Sequence, residues 1–299
     1  MQLKYSFKKE WAHFARTGRI IGVIAAILAF ALSNPIIFKM ASVMMEMVYG
    51  SPDGSGNTVF ASTYASAGMG GDFNEIFGNI GMDEIVAVYS DAGMIFSTAI
   101  ASFAGMSMLI VMLLLMAAAG GEQKKRATIV PMCSGLEYKN YLIPKFVIYP
   151  LTVFAVTAVS VPITGAFCNA FFPNNKVSAE VILLCTLMYS VYTLFLTCVY
   201  LAVGLCTSRP GVATVVIFFG QSFLQTIFNS MGLIDYNPFT LVTLPSYMIM
   251  EDFDISGSMP SIIVGIAISL VIAVMMFFLS LGVLNAKKID NTEEERPEF

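Results

Sequence analysis

One histidine, His13, and one tryptophan, Trp11, occur in the whole of this 299-residue chain. A lone histidine leaves no HExxH or HxxxH pair, so metalloprotease and zinc-hydrolase chemistry has no ligand set. A serine-based intramembrane hydrolase needs a histidine or lysine base within an apolar segment, and none is there. No GxxxxGKS/T phosphate loop is present, so the chain does not cradle ATP in that manner. The five cysteines have no CxxC spacing and no nearby histidine. Cys133, Cys168, Cys185, Cys198 and Cys206 read as small apolar packing residues rather than as a disulfide framework. No catalytic residue and no metal ligand is assigned.

Charge is scarce as well. Only 12% of residues are charged and 57% are hydrophobic, whereas a soluble domain carries about a quarter charged residues. Six stretches, at about residues 20–38, 92–119, 146–172, 181–205, 211–234 and 261–284, contain no Asp, Glu, Lys or Arg. Each reaches the ~17–25 residues that a helix needs to cross a bilayer. The expected fold is therefore an all-α membrane protein with six transmembrane helices.

The remaining charges are sorted by side. Sixteen Lys and Arg residues are present, and all but Lys39 and Lys176 fall in the N-terminal segment, alternate connections or the tail. Basic residues near spans stay in the cytoplasm, which gives an N-in, C-in topology. The opposite connections hold Glu46, Asp53, Asp72, Glu75, Asp83, Glu84, Asp91, Glu180, Asp235, Glu251, Asp252 and Asp254. Such an acidic outer face either attracts cations or is simply a solvated surface. The expected organisation is an interfacial helix at 1–19, a transmembrane domain at 20–285 and a cytoplasmic tail at 286–299. No cleavable signal peptide is expected, because the leading segment is charged and amphipathic.

In the N-terminal segment Leu3, Phe7, Trp11 and Phe14 recur at helical spacing, with Lys4, Lys8 and Lys9 off that stripe. This predicts a helix in the cytoplasmic interface, with Phe7, Trp11 and Phe14 as anchors among acyl chains and the lysines at the phosphates. Asn34-Pro35 should kink the outer end of the first span. Met40, Val43, Met44 and Met47 carry a helical stripe onward into an outer loop at 49–91. Ser51 to Asn57 is a turn cluster there, and Phe73, Ile76, Phe77 and Ile80 predict a second amphipathic helix. The stretch Asn237 to Pro245, within an outer region at 235–260, is too apolar for a free loop and is expected to re-enter the membrane between helices.

Spans without ionisable groups lack the usual apparatus of ion-coupled carriers, which keep such groups despite a cost of about 2.5–3.5 kcal/mol each. Energy for uphill movement would then come from outside the bilayer. The order of elements resembles the permease subunits of ABC transporters of the second export class. The family's stretch after the second span is an acidic residue, polar or basic residues, a Thr-hydrophobic-hydrophobic-Pro-like run, a short helix and a basic residue. Here Glu122, Lys124 to Arg126, Thr128 to Pro131, Gly135 to Tyr138 and Lys145 match in that order. The resemblance implies that residues 120–145 form the coupling segment, with Glu122, Thr128, Ile129, Val130, Pro131, Met132, Leu136, Glu137 and Tyr138 docking on a separate ATPase. It also implies two ATPase copies that hold ATP and Mg, no cofactor on this chain, and a second permease chain, identical or paralogous. Asn237-Pro238-Phe239 resembles the family's broken outer hairpin before the last span.

The apolar anchors and flanking charges at 122–139 suit a helix seated in a groove. Cargo is less constrained. Met106, Met108, Met112, Met116, Phe218, Phe219, Phe223 and Phe228 suit a path for amphipathic peptides or lipid-like molecules, or equally a packed or lipid-facing span. Ala101, Ser102, Ala104, Gly105 and Ser107 allow close helix approach, between subunits or within one. Gln221, Gln225 and Asn229 recur at i, i+4 and i+8, and three amides on one face avoid lipid; they are the candidates for a cargo path. The expected function is export of antimicrobial, toxin-like or other amphipathic peptides, or of lipid-like molecules, across a bacterial plasma membrane. The alternative is a non-transporting sensor or immunity subunit that binds peptides at its outer face. Membrane lipids are expected partners and nucleic acid is not.

Overall fold

A computed structural model describes residues 2–49, 91–102, 105, 108–115, 137–207, 210–232, 236–248, 253 and 255–294, the side chains of 45–49, 102, 210, 229 and 287–294 excepted. Among these residues all regular structure is helical apart from one isolated bridge between Asp91 and Asn174. In chain order the helices are α1 (Gln2–Arg16), α2 (Arg19–Tyr49), α3 (Ala92–Ser102), α4 (Tyr138–Phe171), α5 (Ala179–Cys206), α6 (Pro210–Ser230), α7 (Thr240–Tyr247) and α8 (Ile255–Glu294). Residues 108–115 are also helical.

Five helices, α2, α4, α5, α6 and α8, are long and apolar enough to cross a membrane. This is a multi-pass membrane protein by composition and helix length. The sixth expected span, 92–119, is described only in pieces: α3 and the helical stretch 108–115, where Phe96, Met108, Val111 and Met112 are buried. The predicted turn cluster at Ser51 to Asn57 and the predicted helix through Phe73 to Ile80 lie outside the described residues.

Helix α5 is the hub. It packs against α4, α8, α7 and α6, and 67% of its most apolar window is buried, against 6% for α6. It starts on Ser178, whose hydroxyl accepts from Val181 N at 3.3 Å, with Glu180 in the first turn. Both features answer the unpaired amides at a helix start. Along its flank facing α4, hydroxyls replace bulk: Thr193 Oγ1 lies 3.3 Å from Thr157 Oγ1, and both residues are fully buried. Small polar side chains let two backbones approach closely without a hydrophobic driving force between them.

Helix α2 runs through Pro35 without ending. Proline has no N–H, so the carbonyl one turn back, on Ala31, loses its helical partner. Thr164 of α4 is placed to supply a replacement: its Oγ1 lies 3.1 Å from Ala31 O and 3.0 Å from Ser160 O, so its one proton is shared between the two carbonyls. A carbonyl orphaned by one helix thus has a donor within reach on the next, as a hydrocarbon setting demands.

The boundaries differ from hydropathy in two places. Helix α4 begins at Tyr138, so the last residues of the expected 120–145 coupling segment are already its first two turns. Helix α8 continues to Glu294, so the expected tail at 286–299 begins as helix. In both cases Lys, Ala, Leu or Glu keep good helix propensity after hydropathy has fallen, so an apolar window cannot see the end.

Between α6 and α8 the chain turns at Asn237-Pro238 and enters α7. Asn237 Oδ1 accepts from Phe239 N at 2.7 Å and Thr240 N at 3.2 Å, and Thr240 Oγ1 accepts in return from Asn237 N at 3.4 Å. These bonds close a tight Asx-type turn around Pro238 that leads directly into α7. Helix α7 then buries Thr240, Leu241, Leu244 and Pro245 against α5, α8 and α3. A methyl group at Gly265 of α8 would stand 3.2 Å from Asn237 O, so glycine there sets how closely α8 and this element approach.

Candidate functional site

Two polar constellations stand out within this apolar scaffold. The first lies where α1 crosses α4. Gly18, at φ +67, ends α1 and lets the chain turn directly into α2; glycine adopts that backbone without steric cost. Folded back in this way, α1 packs on α4 and α2. Its buried residues are Ser6, Glu10 and Phe14.

Lys145 Nζ donates to Glu10 Oε1 at 2.7 Å, and Tyr149 OH donates to the same oxygen at 2.7 Å. Lys145 is completely buried and Glu10 is 6% exposed. The Lys145 ammonium also lies 5.0 Å from the Tyr141 ring centroid and 5.9 Å from that of Tyr149. One turn along α1, Phe14 meets the Tyr149 ring edge-on at 4.8 Å. Charge pairing, a charge-assisted hydrogen bond and cation–π attraction together offset the desolvation of both ions.

This arrangement corrects the expected role of the anchors. Phe14 is not among acyl chains but is fully buried against Tyr149, and Phe7 is half-buried against the protein core. Trp11 alone of the three faces outward, at 52% exposure. The cause is Glu10, which draws its own face of α1 onto Lys145 and rotates the hydrophobic stripe partly into the protein. Glu10 was not singled out from the sequence, and Lys145 was noted only as the basic residue that closes the coupling motif. The signal that could have found the pair is that Glu10 is the only acid among the first 19 residues, and Lys145 borders an apolar run.

The second constellation is a half-open cavity of about 330 Å³ bordered by α3, α5, α6 and α7. Its lining comprises Ala101, Gly105, Tyr192, Phe218, Gln221, Ser222, Gln225, Val242, Thr243, Ser246 and Tyr247. The volume is at the lower end for small-molecule pockets. Among the described residues no charged side chain lines it; amides, hydroxyls and aromatic rings do. Gln221 Oε1 accepts from Tyr200 OH at 3.4 Å, and Gln225 Nε2 donates to Thr243 Oγ1 at 3.5 Å. Both distances are at the long limit for hydrogen bonds, so each amide retains capacity for a further partner.

The wall formed by α7 is held from three sides. Tyr189 OH of α5 donates to Val242 O at 3.3 Å, Phe228 of α6 packs on Phe239 at 5.9 Å, and Gly265 of α8 abuts Asn237.

The other residues singled out from the sequence fall as follows. Glu122, Thr128, Ile129, Val130, Pro131, Met132 and Leu136 lie outside the described residues. Glu137 is exposed at the start of α4 with no side-chain cap, and Tyr138 is half-buried against the core. The side chain of Asn229 lies outside the described set. Met108 and Met112 belong to the core, Phe218 lines the cavity, and Phe219 and Phe223 are outward-facing at 66% and 67% exposure. Cys168, Cys185 and Cys198 are buried thiols, and Cys206 is a partly exposed one. Among the described residues no cluster of His, Cys, Asp or Glu suits a metal ion. Comparison with protein-family models, with curated proteins and with solved structures finds no match to this chain.

Proposed function

We propose that this chain is the transmembrane permease subunit of an ATP-driven exporter in a bacterial plasma membrane. In this reading it has six spans with both termini inside, the second span running through 92–119. The cargo is an amphipathic peptide or a lipid-like molecule. The observation that carries the reading is the charge-free cavity between α3, α5, α6 and α7, lined by the amides of Gln221 and Gln225. A pocket of apolar walls with a few uncharged hydrogen-bonding groups suits a molecule that is largely apolar and carries amide or hydroxyl groups. The chain holds no phosphate loop, so ATP and Mg belong to a separate subunit docked through residues 120–137 and the first turns of α4.

The pairing of Lys145 with Glu10 also supports an external energy source. These ionisable groups are mutually neutralised at the α1 crossing rather than lining the cavity, and ion-coupled carriers place such groups on the substrate or ion pathway. The test is purification of the chain from native membranes followed by identification of any bound ATPase. Hydrolysis by that complex in liposomes should rise on addition of amphipathic peptides or lipids, with efflux of the same molecules. Gradient-driven uptake by the chain alone, without ATP, would overturn the reading.

A further inference from the structure

We infer that the outward face of α1 binds anionic phospholipid headgroups in the leaflet beside which α2 begins. The inference is independent of transport and rests on how α1 is turned. The side of α1 that meets the protein carries Ser6, Glu10 and Phe14. At 100° per residue, the opposite half carries Lys4, Lys8, Lys9 and Arg16, all exposed, interleaved with Tyr5 at 72% and Trp11 at 52% exposure.

Glu10 is the only acid in residues 1–19, and its burial against Lys145 removes the one negative charge that would have offset this face. What remains outward is cationic and aromatic. Tyrosine and tryptophan settle at the headgroup level, where an apolar ring and a polar tip are both accommodated. Lysine and arginine next to a span add electrostatic attraction to anionic lipid. Only Thr17 and Gly18 separate α1 from α2, so the face lies at the edge of the hydrocarbon. This proximity favours lipid over a soluble acidic partner.

Trp11 supplies the test, because it is the only tryptophan and its fluorescence reports α1 alone. The full chain is reconstituted in phosphatidylcholine bilayers in which one fraction of lipid is brominated, either phosphatidylglycerol or phosphatidylcholine at the same mole fraction. Brominated chains quench tryptophan on contact. The expected result is stronger quenching by the anionic lipid, equivalent to a relative affinity of about threefold or more. That preference should fall to unity in the K4Q/K8Q/K9Q/R16Q variant and shrink at ~0.5 M salt. The paired variants K4Q/K8Q and K9Q/R16Q carry the same test if the quadruple variant does not fold. Equal quenching by both headgroups, no quenching by either, or a preference that survives the charge substitutions would overturn the inference. Loss of the preference on adding inorganic phosphate would assign a soluble-anion site and also overturn it.

Discussion

Lys145 on α4 and Glu10 on α1 form a buried ion pair 2.7 Å long, 135 residues apart in the chain. It joins the N-terminal helix to α4, whose first two turns are the end of the proposed coupling segment at 120–145.

Removing one partner should be far worse than removing both. Glu10→Gln leaves the Lys145 charge buried without its counter-ion and should cost about 3–5 kcal/mol. The double variant E10L/K145M replaces both ions with apolar side chains and should recover most of that loss. Thermal unfolding in detergent, followed through Trp11 fluorescence, distinguishes the two. A double variant no more stable than Glu10→Gln alone would show that the pair is not the unit of stability.

The Thr164–Ala31 contact makes a prediction in the form of a cycle. Thr164→Val should destabilise by about 0.6–1.7 kcal/mol, the range of interhelical hydrogen bonds in membranes. Pro35→Ala returns an N–H to the helix and lets Ala31 O regain its own partner. In that background Thr164→Val should cost measurably less. Strict additivity of the two substitutions would contradict the proposed link between Pro35 and Thr164.

The two cavity amides, with Asn229 from the same sequence stripe, allow stability to be tested apart from function. Converting Gln221, Gln225 and Asn229 together to Leu should change stability little, since each lost contact is worth ~0.6 kcal/mol on average. Cargo-stimulated ATP hydrolysis and efflux should nevertheless change in rate or cargo preference. Unaltered kinetics for every accepted cargo would make the stripe a helix contact only.

Docking of the ATPase is tested in the segment before α4. Val130→Asp together with Leu136→Asp should abolish association with the ATPase in pull-down from detergent, because a charge in an apolar docking groove is left without solvation. Membrane insertion should be unaffected. Association at the parent level would remove this segment from the mechanism.

A methyl group added at Gly265 would press on the Asn237 carbonyl at 3.2 Å. Gly265→Ala should therefore lower the unfolding temperature by an amount equivalent to about 1–3 kcal/mol, the usual range for overpacking. An unchanged melting curve would show that α8 and the hairpin separate freely.

Hydropathy by itself determined where α2, α4, α5, α6 and α8 lie. In hydrocarbon an unpaired backbone group is too costly, so a long charge-free run has no alternative to helix. The stripe of Gln221 and Gln225 was legible for a related reason, since amides spaced one turn apart share a face and that face avoids lipid.

What covers each helix face was decided only by the tertiary structure. Glu10 reads as one more interfacial charge until Lys145 and Tyr149 arrive from more than 130 residues away. Phe14 and Trp11 belong to one stripe in the sequence, yet one is fully buried and the other is half exposed. Tyr192 and Thr243 carry no local mark of a cavity wall, because the cavity exists only where α5, α6 and α7 leave space between them. Periodicity specifies a face; the pairing of faces depends on long-range packing and ion pairing, which a window of one helix does not contain.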